Sequence, residues 1–182
     1  MVTFVLAGIL LPFVGSLLVL ILPRSWVKLT SLLVTLAAML STLFVLFSLG
    51  MAGKAGYSVD LLWFGDIVVY GVIVDKISTL IGSVFILFGF LVVVYSGGYL
   101  SEKNRDHAEH GGVKRRYYFF LLAFIGSMAG LVMSSTMLGL LAFFELTGVC
   151  SWGLIGYHND EKSLKAAMKA IVTTELASIG LF

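Results

Sequence analysis

Long apolar runs, separated by short polar breaks, account for most of the chain. Six of them, at about 3–22, 29–50, 77–100, 117–134, 137–157 and 164–182, are close to 20 residues each. An α-helix rises 1.5 Å per residue, so about 20 residues cover the ~30 Å hydrocarbon core of a bilayer. The pattern therefore predicts six membrane-spanning helices. Between the second and third lies AGYSVDLLWFGDIVVYGVIVD. Its β-branched and apolar residues, interrupted by Gly65-Asp66, predict a short hairpin on the membrane surface. The largest polar insert, SEKNRDHAEHGGVKRR at 101–116, is too short to be a domain. The expected fold is an all-α polytopic membrane protein, residues 1–182 forming one membrane domain.

Composition agrees. Hydrophobic residues make up 59% of the chain and charged residues 12%, about half the charged share of a typical soluble domain. The first 22 residues lack the basic n-region of a secretory signal and exceed the length of its apolar core. They are expected to stay as a membrane helix. Cys150 is the single cysteine, which leaves neither a disulfide framework nor a Cys-based metal motif.

Charge then sets an expected orientation. Arg24, Lys28, Lys103, Arg105, Lys114, Arg115, Arg116, Lys162, Lys165 and Lys169 fall after odd-numbered spans, while Lys54 and Lys76 lie on the other side. Ten against two places the odd loops in the cytoplasm of a cell (inner or plasma) membrane, with the hairpin and both termini extracytoplasmic. The net charge of +2 reports topology and gives no ground for a nucleic-acid partner.

Within this apolar background Glu145 stands alone in MLGLLAFFELTGVCSWGLIGY, residues 137–157. It falls near the middle of the fifth span, where a charged side chain costs at least about 2.5–3.5 kcal/mol on insertion scales. Intramembrane carboxylates face a bundle interior or a hydrated cavity, and they mark ion and proton pathways. Glu145 is thus the first candidate for a proton-path residue, the bland reading being a protonated helix–helix hydrogen-bond group. Glu175 in span six is a second candidate relay. Lys165 and Lys169 share a helix face, and Lys169 is a third candidate relay, with ordinary snorkelling as its alternative.

His107 and His110 in DHAEH have acidic neighbours but no cysteine, short of the three or four ordered ligands that zinc requires. No metal and no cofactor is expected. Gly126 and Gly130 form a G-x-x-x-G pair, and Gly148, Ser151, Gly153 and Gly156 line span five. These read as close helix packing.

AFFELTGVCSWGLIGY resembles the fifth-span signature of the antiporter-like subunits of respiratory complex I, of Mrp-type cation/proton antiporters and of related membrane-bound hydrogenases. SLKAAMKAIVTT is similar to the start of the next helix in that family. VDKISTLIGSVFILFGFLVVVYSGGYL resembles the family's third helix, opening with Asp75, and the preceding hairpin fits as well. The resemblance implies two inverted repeats with broken helices in about fourteen spans. It implies that Glu145 pairs with a lysine of a seventh helix, and that Lys169 matches a family-like lysine. Two departures stand out. The chain closes at Phe182, before any seventh helix, and many relatives carry a basic or apolar residue at the Glu175 position and glycine at Lys76.

The expectation is a proton- or cation-translocating membrane subunit, or a split part of one, in a complex I-like, hydrogenase-like or Mrp-like assembly. It would itself be non-catalytic, with redox chemistry left to partners. Those partners would be other membrane subunits, one supplying the later helices, together with the lipid bilayer. The alternative is a non-transporting structural subunit of the same membrane arm.

Overall fold

The computed structural model describes residues 1–52, 56–100, 113–158 and 160–179. Lys54, Lys103, Arg105, His107 and His110 lie outside the described residues. The order of elements is α1 (Val2–Ile21), α2 (Arg24–Ala52), β1 (Tyr57–Phe64), β2 (Ile67–Val74), α3 (Lys76–Tyr99), α4 (Val113–Val132), α5 (Met137–Ile155) and α6 (Glu161–Ile179). All six expected helices are present, each beginning one to five residues before its expected start or at it. α1, α2, α3 and α5 are long and apolar enough to cross a membrane. α4 and α6 fall below that standard, because their first turns carry Lys114, Arg115 and Arg116 in one and Glu161, Lys162 and Lys165 in the other.

Two helices, α3 and α5, start where the sequence supplies a side-chain cap. Asp75 accepts a hydrogen bond from the Ser78 amide at 2.8 Å at the head of α3. Thr136 does the same for the Gly139 amide at 3.1 Å at the head of α5. Each side-chain oxygen satisfies one of the amides that a helix N-terminus leaves without an internal partner.

α4 is the central element, touching α1, α3 and α5. Tyr118, Leu122, Ile125, Ala129 and Met133 are all buried along or just beyond it. That position explains how a helix with a basic first turn belongs in the bundle: its apolar length faces neighbouring helices more than lipid. The Gly126–Gly130 pair serves two interfaces. A methyl on Gly126 would meet the Phe13 ring of α1, and one on Gly130 would strike the Phe143 ring of α5. By contrast Leu10, Leu17, Phe47, Phe88 and Leu91 are exposed on outer faces, as lipid contact requires. Buried hydroxyls turn inward on their own helices. Ser31 donates to the Val27 carbonyl and Ser127 to that of Ala123, at 2.8 and 2.7 Å, which removes their desolvation penalty.

β1 and β2 pair antiparallel, Tyr57 opposite Val74 and Phe64 opposite Ile67. Gly65 takes the left-handed turn with φ 61°, a conformation that glycine adopts without steric cost. β2 is then bonded to the α4–α5 joint. The Ile73 amide donates to the Met133 carbonyl at 2.8 Å and the Ser135 amide to that of Gly71 at 2.9 Å. The Thr136 hydroxyl donates to the Val69 carbonyl at 2.8 Å. Alternating helix direction gathers Arg24, Lys28, Lys114, Arg115, Arg116, Lys162 and Lys165 at one end of the bundle and the hairpin at the other.

Candidate functional site

Glu145 lies one residue from the midpoint of α5, which spans Met137–Ile155. Its position is half-buried. The structure also fixes the depth of Glu175, which the sequence left open. α6 runs back along α5, with Ala167 beside Gly156 near one end and Thr174 and Glu175 beside Gly148 further along. This register carries Glu175 to the level of Glu145 and brings the two carboxyl groups beside each other. Glycine at 148 leaves room for the approach: a methyl there would lie 3.7 Å from Glu175 Oε1 and 3.5 Å from the Thr174 methyl.

A hydrogen bond between two carboxyl groups requires a proton on one of them, because an ionised carboxylate only accepts. Two neighbouring carboxyl groups can share one proton, one carboxyl donating it and the other receiving it. Nearby hydroxyls do not compete for it. Thr147 donates to the Phe144 carbonyl at 2.6 Å and Thr174 to that of Ala170 at 2.9 Å.

Lys169 is not part of this arrangement. It is exposed on α6 with Met168, Val172 and Thr173, while Leu164, Ala167, Thr174 and Glu175 form the stripe that meets α5. Six residues separate Lys169 from Glu175, which is about 240° around a helix. Lys165 pairs with Glu161 at 2.7 Å in an exposed i, i+4 contact, worth a few tenths of a kcal/mol. Just before α6, Asp160 is fully exposed, and the hydroxyl of Ser163 donating to it holds its carboxyl below the usual carboxylate value.

A second polar group, not singled out from sequence, lies where α3, α4 and α5 meet at the basic end. The Ser96 and Tyr118 hydroxyls are hydrogen-bonded at 2.8 Å, and the Tyr157 and Tyr99 hydroxyls stand 3.5 Å apart. The Tyr117 ring meets Tyr157 edge-on at 5.4 Å, and Tyr157 packs on His158 at 4.0 Å. The signal was tyrosine at three helix ends, a composition shared with any interfacial aromatic belt.

Comparison with known proteins gives a consistent picture. The family described as NADH:quinone oxidoreductase/Mrp antiporter, TM, matches residues 134–182, which contain both glutamates. The chain is 33% identical over 113 residues to NAD(P)H-quinone oxidoreductase subunit 5, chloroplastic, of Mutisia acuminata, and equally to that of Carthamus tinctorius. Each match covers 62% of this chain and 14% of the relative, so the chain spans about a seventh of their length. In fold it is similar to a chain of the membrane-bound sulfane sulfur reductase, an archaeal respiratory membrane complex. That match has a TM-score of 0.76 at 19% identity, over 96% of this chain and 34% of the other.

Proposed function

We propose that this chain, an antiporter-like membrane subunit of the complex I and Mrp type, moves protons through the carboxyl pair Glu145–Glu175 as part of a larger membrane assembly. The observation that carries the reading is the juxtaposition of the two glutamates across the α5–α6 interface at mid-depth. In this reading the pair passes its proton from one carboxyl to the other when a neighbouring charge changes. A cation approaching one glutamate stabilises that carboxylate and drives its proton to the partner.

The cation would come from another membrane subunit, or from chain that follows these residues. The outward face of α6, with Lys169, Met168 and Val172 exposed, supports a docking position there for further helices. Lys169 would then act as a relay at the edge of the path and not inside the pair. Redox or exchange energy would be supplied by partner subunits. Basic residues at one end of the bundle support a cytoplasmic position for that end and an extracytoplasmic one for the hairpin and both termini.

The test is proton movement by the assembled complex in sealed proteoliposomes, followed with a pH-sensitive dye. Glu145→Gln keeps a hydrogen-bonding side chain and removes the exchangeable carboxyl. Transport is expected to fall about a hundredfold or more, the scale of a lost proton-transfer group, with subunit composition unchanged. Undiminished transport would return Glu145 to a packing role.

A further inference from the structure

On α5, Gly148, Trp152 and Gly156 follow one another at intervals of four, so they lie on one stripe of the helix. Both glycines meet α6, Gly148 beside Thr174 and Glu175 and Gly156 beside Leu164 and Ala167. Trp152 therefore stands between them at the same interface, about two turns from Glu145 toward the basic end. Its Nε1 is buried and, among the described residues, has no hydrogen-bond partner. A buried donor without an acceptor is unfavourable. The register sets Ala170 and Ile171 across from it, and neither side chain can accept. Protein atoms already cover this nitrogen, so a helix docking on the outer face of α6 would not reach it.

Glu175 is the acceptor placed to reach it. Side chains on a helix lean toward its N-terminus. Trp152 thus leans toward Gly148, and Glu175, on the antiparallel α6, leans toward the level of Trp152. Glu175 Oε1 stands 3.7 Å from where a Gly148 methyl would be, and besides it only the Thr174 methyl comes within 4 Å of that point. Glycine thereby leaves an open lane between the level of Glu145 and that of Trp152. The hydroxyls flanking Glu175 offer it no bond of their own. Thr174 donates to the Ala170 carbonyl and Ser178 to the Glu175 carbonyl, each at 2.9 Å.

We propose that Trp152 is a positioning residue whose indole N–H receives the Glu175 carboxylate when the Glu145–Glu175 pair has given up its proton. This rests on the reading of the pair as a proton path. While one proton remains, the two carboxyl groups can stay side by side. Once it has left, two carboxylates at mid-membrane repel each other. Glu175 then turns along the lane over Gly148 and accepts the indole N–H in a charge-assisted hydrogen bond. A new proton on either glutamate ends the repulsion and lets Glu175 return. The swing ties the position of Glu175 to the protonation of the pair, and the indole keeps its own proton throughout.

The experiment replaces Trp152, in the assembled complex, by benzothienylalanine, an isostere with sulfur in place of the N–H. Shape and bulk are kept, so a packing role predicts transport and melting temperature as in wild type. Proton transport in proteoliposomes is instead expected to fall about tenfold, the scale of one hydrogen bond to a charged group, at an unchanged melting temperature. Trp152→Phe should repeat the loss with a natural residue. In a Glu175→Gln background, where no carboxylate needs the N–H, the isostere should cause no further loss. Full transport by the isostere complex, with transport lost in Glu145→Gln, would overturn the role of Trp152 and leave the pair standing. Full transport in both would remove the pair as a proton path and this proposal with it. A further tenfold loss in the Glu175→Gln background would overturn the proposal too, because the N–H would then act on another group.

Discussion

Glu145 and Glu175 lie side by side across the α5–α6 interface, although thirty positions separate them in sequence. A contact between two carboxyl groups has two sides, a link between helices and a place to keep a proton, and different substitutions separate them. Glu175→Gln retains the link and should lower transport by about the same factor as Glu145→Gln. The double Gln variant should be no slower than either single one, because residues acting as one unit are not additive. Glu175→Leu removes the link and leaves Glu145 without its partner. It should weaken α6 docking by about 1–3 kcal/mol, read as a lower melting temperature of the solubilised complex. A multiplicative loss in the double Gln variant would show the glutamates working independently.

Helix contact at glycine gives a prediction with a built-in control. A methyl on Gly153 would run into the Phe120 ring of α4, whereas Gly50, within α2, has open space where its methyl would go. Gly153→Ala should destabilise by about 1–3 kcal/mol through overpacking. Gly50→Ala should be neutral, or stabilise by up to about 1 kcal/mol through helix propensity. Thermal unfolding followed by circular dichroism in detergent separates the two. Equal shifts would mean that the α4–α5 contact yields easily.

Tyr118 is fully buried, and its hydroxyl is hydrogen-bonded to Ser96 Oγ as the donor, because the Ser96 proton goes to the Val93 carbonyl. Tyr118→Phe should cost about 1 kcal/mol, the ordinary net worth of a hydrogen bond. The cost should not be larger, because Ser96 keeps its own donor bond to the Val93 carbonyl at 2.7 Å. The same melt measures it.

The head of α6 should respond to pH through Asp160, whose carboxyl the Ser163 hydroxyl holds below its usual value. A carboxyl with a lowered folded-state pKa contributes stability above its unfolded value and loses it as pH falls through the folded one. Amide exchange at residues 161–164 should therefore speed up on acidification below the normal carboxylate range. Asp160→Asn should show no such step. A step that persists in the variant would assign it to Glu161 or another acid.

The six helices, the hairpin and its Gly65 turn were legible from apolar run lengths and turn chemistry, since each depends on local sequence. Glu145 was legible because an ionisable group in so apolar a run conflicts with its surroundings. The Glu145–Glu175 contact was not, because it depends on how far α6 slides along α5, which no local pattern records. Lys169 illustrates the same limit: its place near the start of a family-like helix was readable, but not that helical rotation sets it on a different face from Glu175. Nor did strand periodicity give any sign that β2 would bond to the α4–α5 joint.

That joint bears on where in the membrane the carboxyl pair lies. Thr136 begins α5 and also donates to Val69 of the hairpin, and Glu145 follows it by nine residues, a rise of about 13.5 Å. The hairpin thus works as a depth stop for α5. Hydropathy alone lets an apolar helix bob by several residues along the membrane normal, but this one is hung from a fixed polar fastening at its upper end. Changing the apolar length beyond Glu145 should therefore alter the far end of the helix and leave the carboxyl at its level.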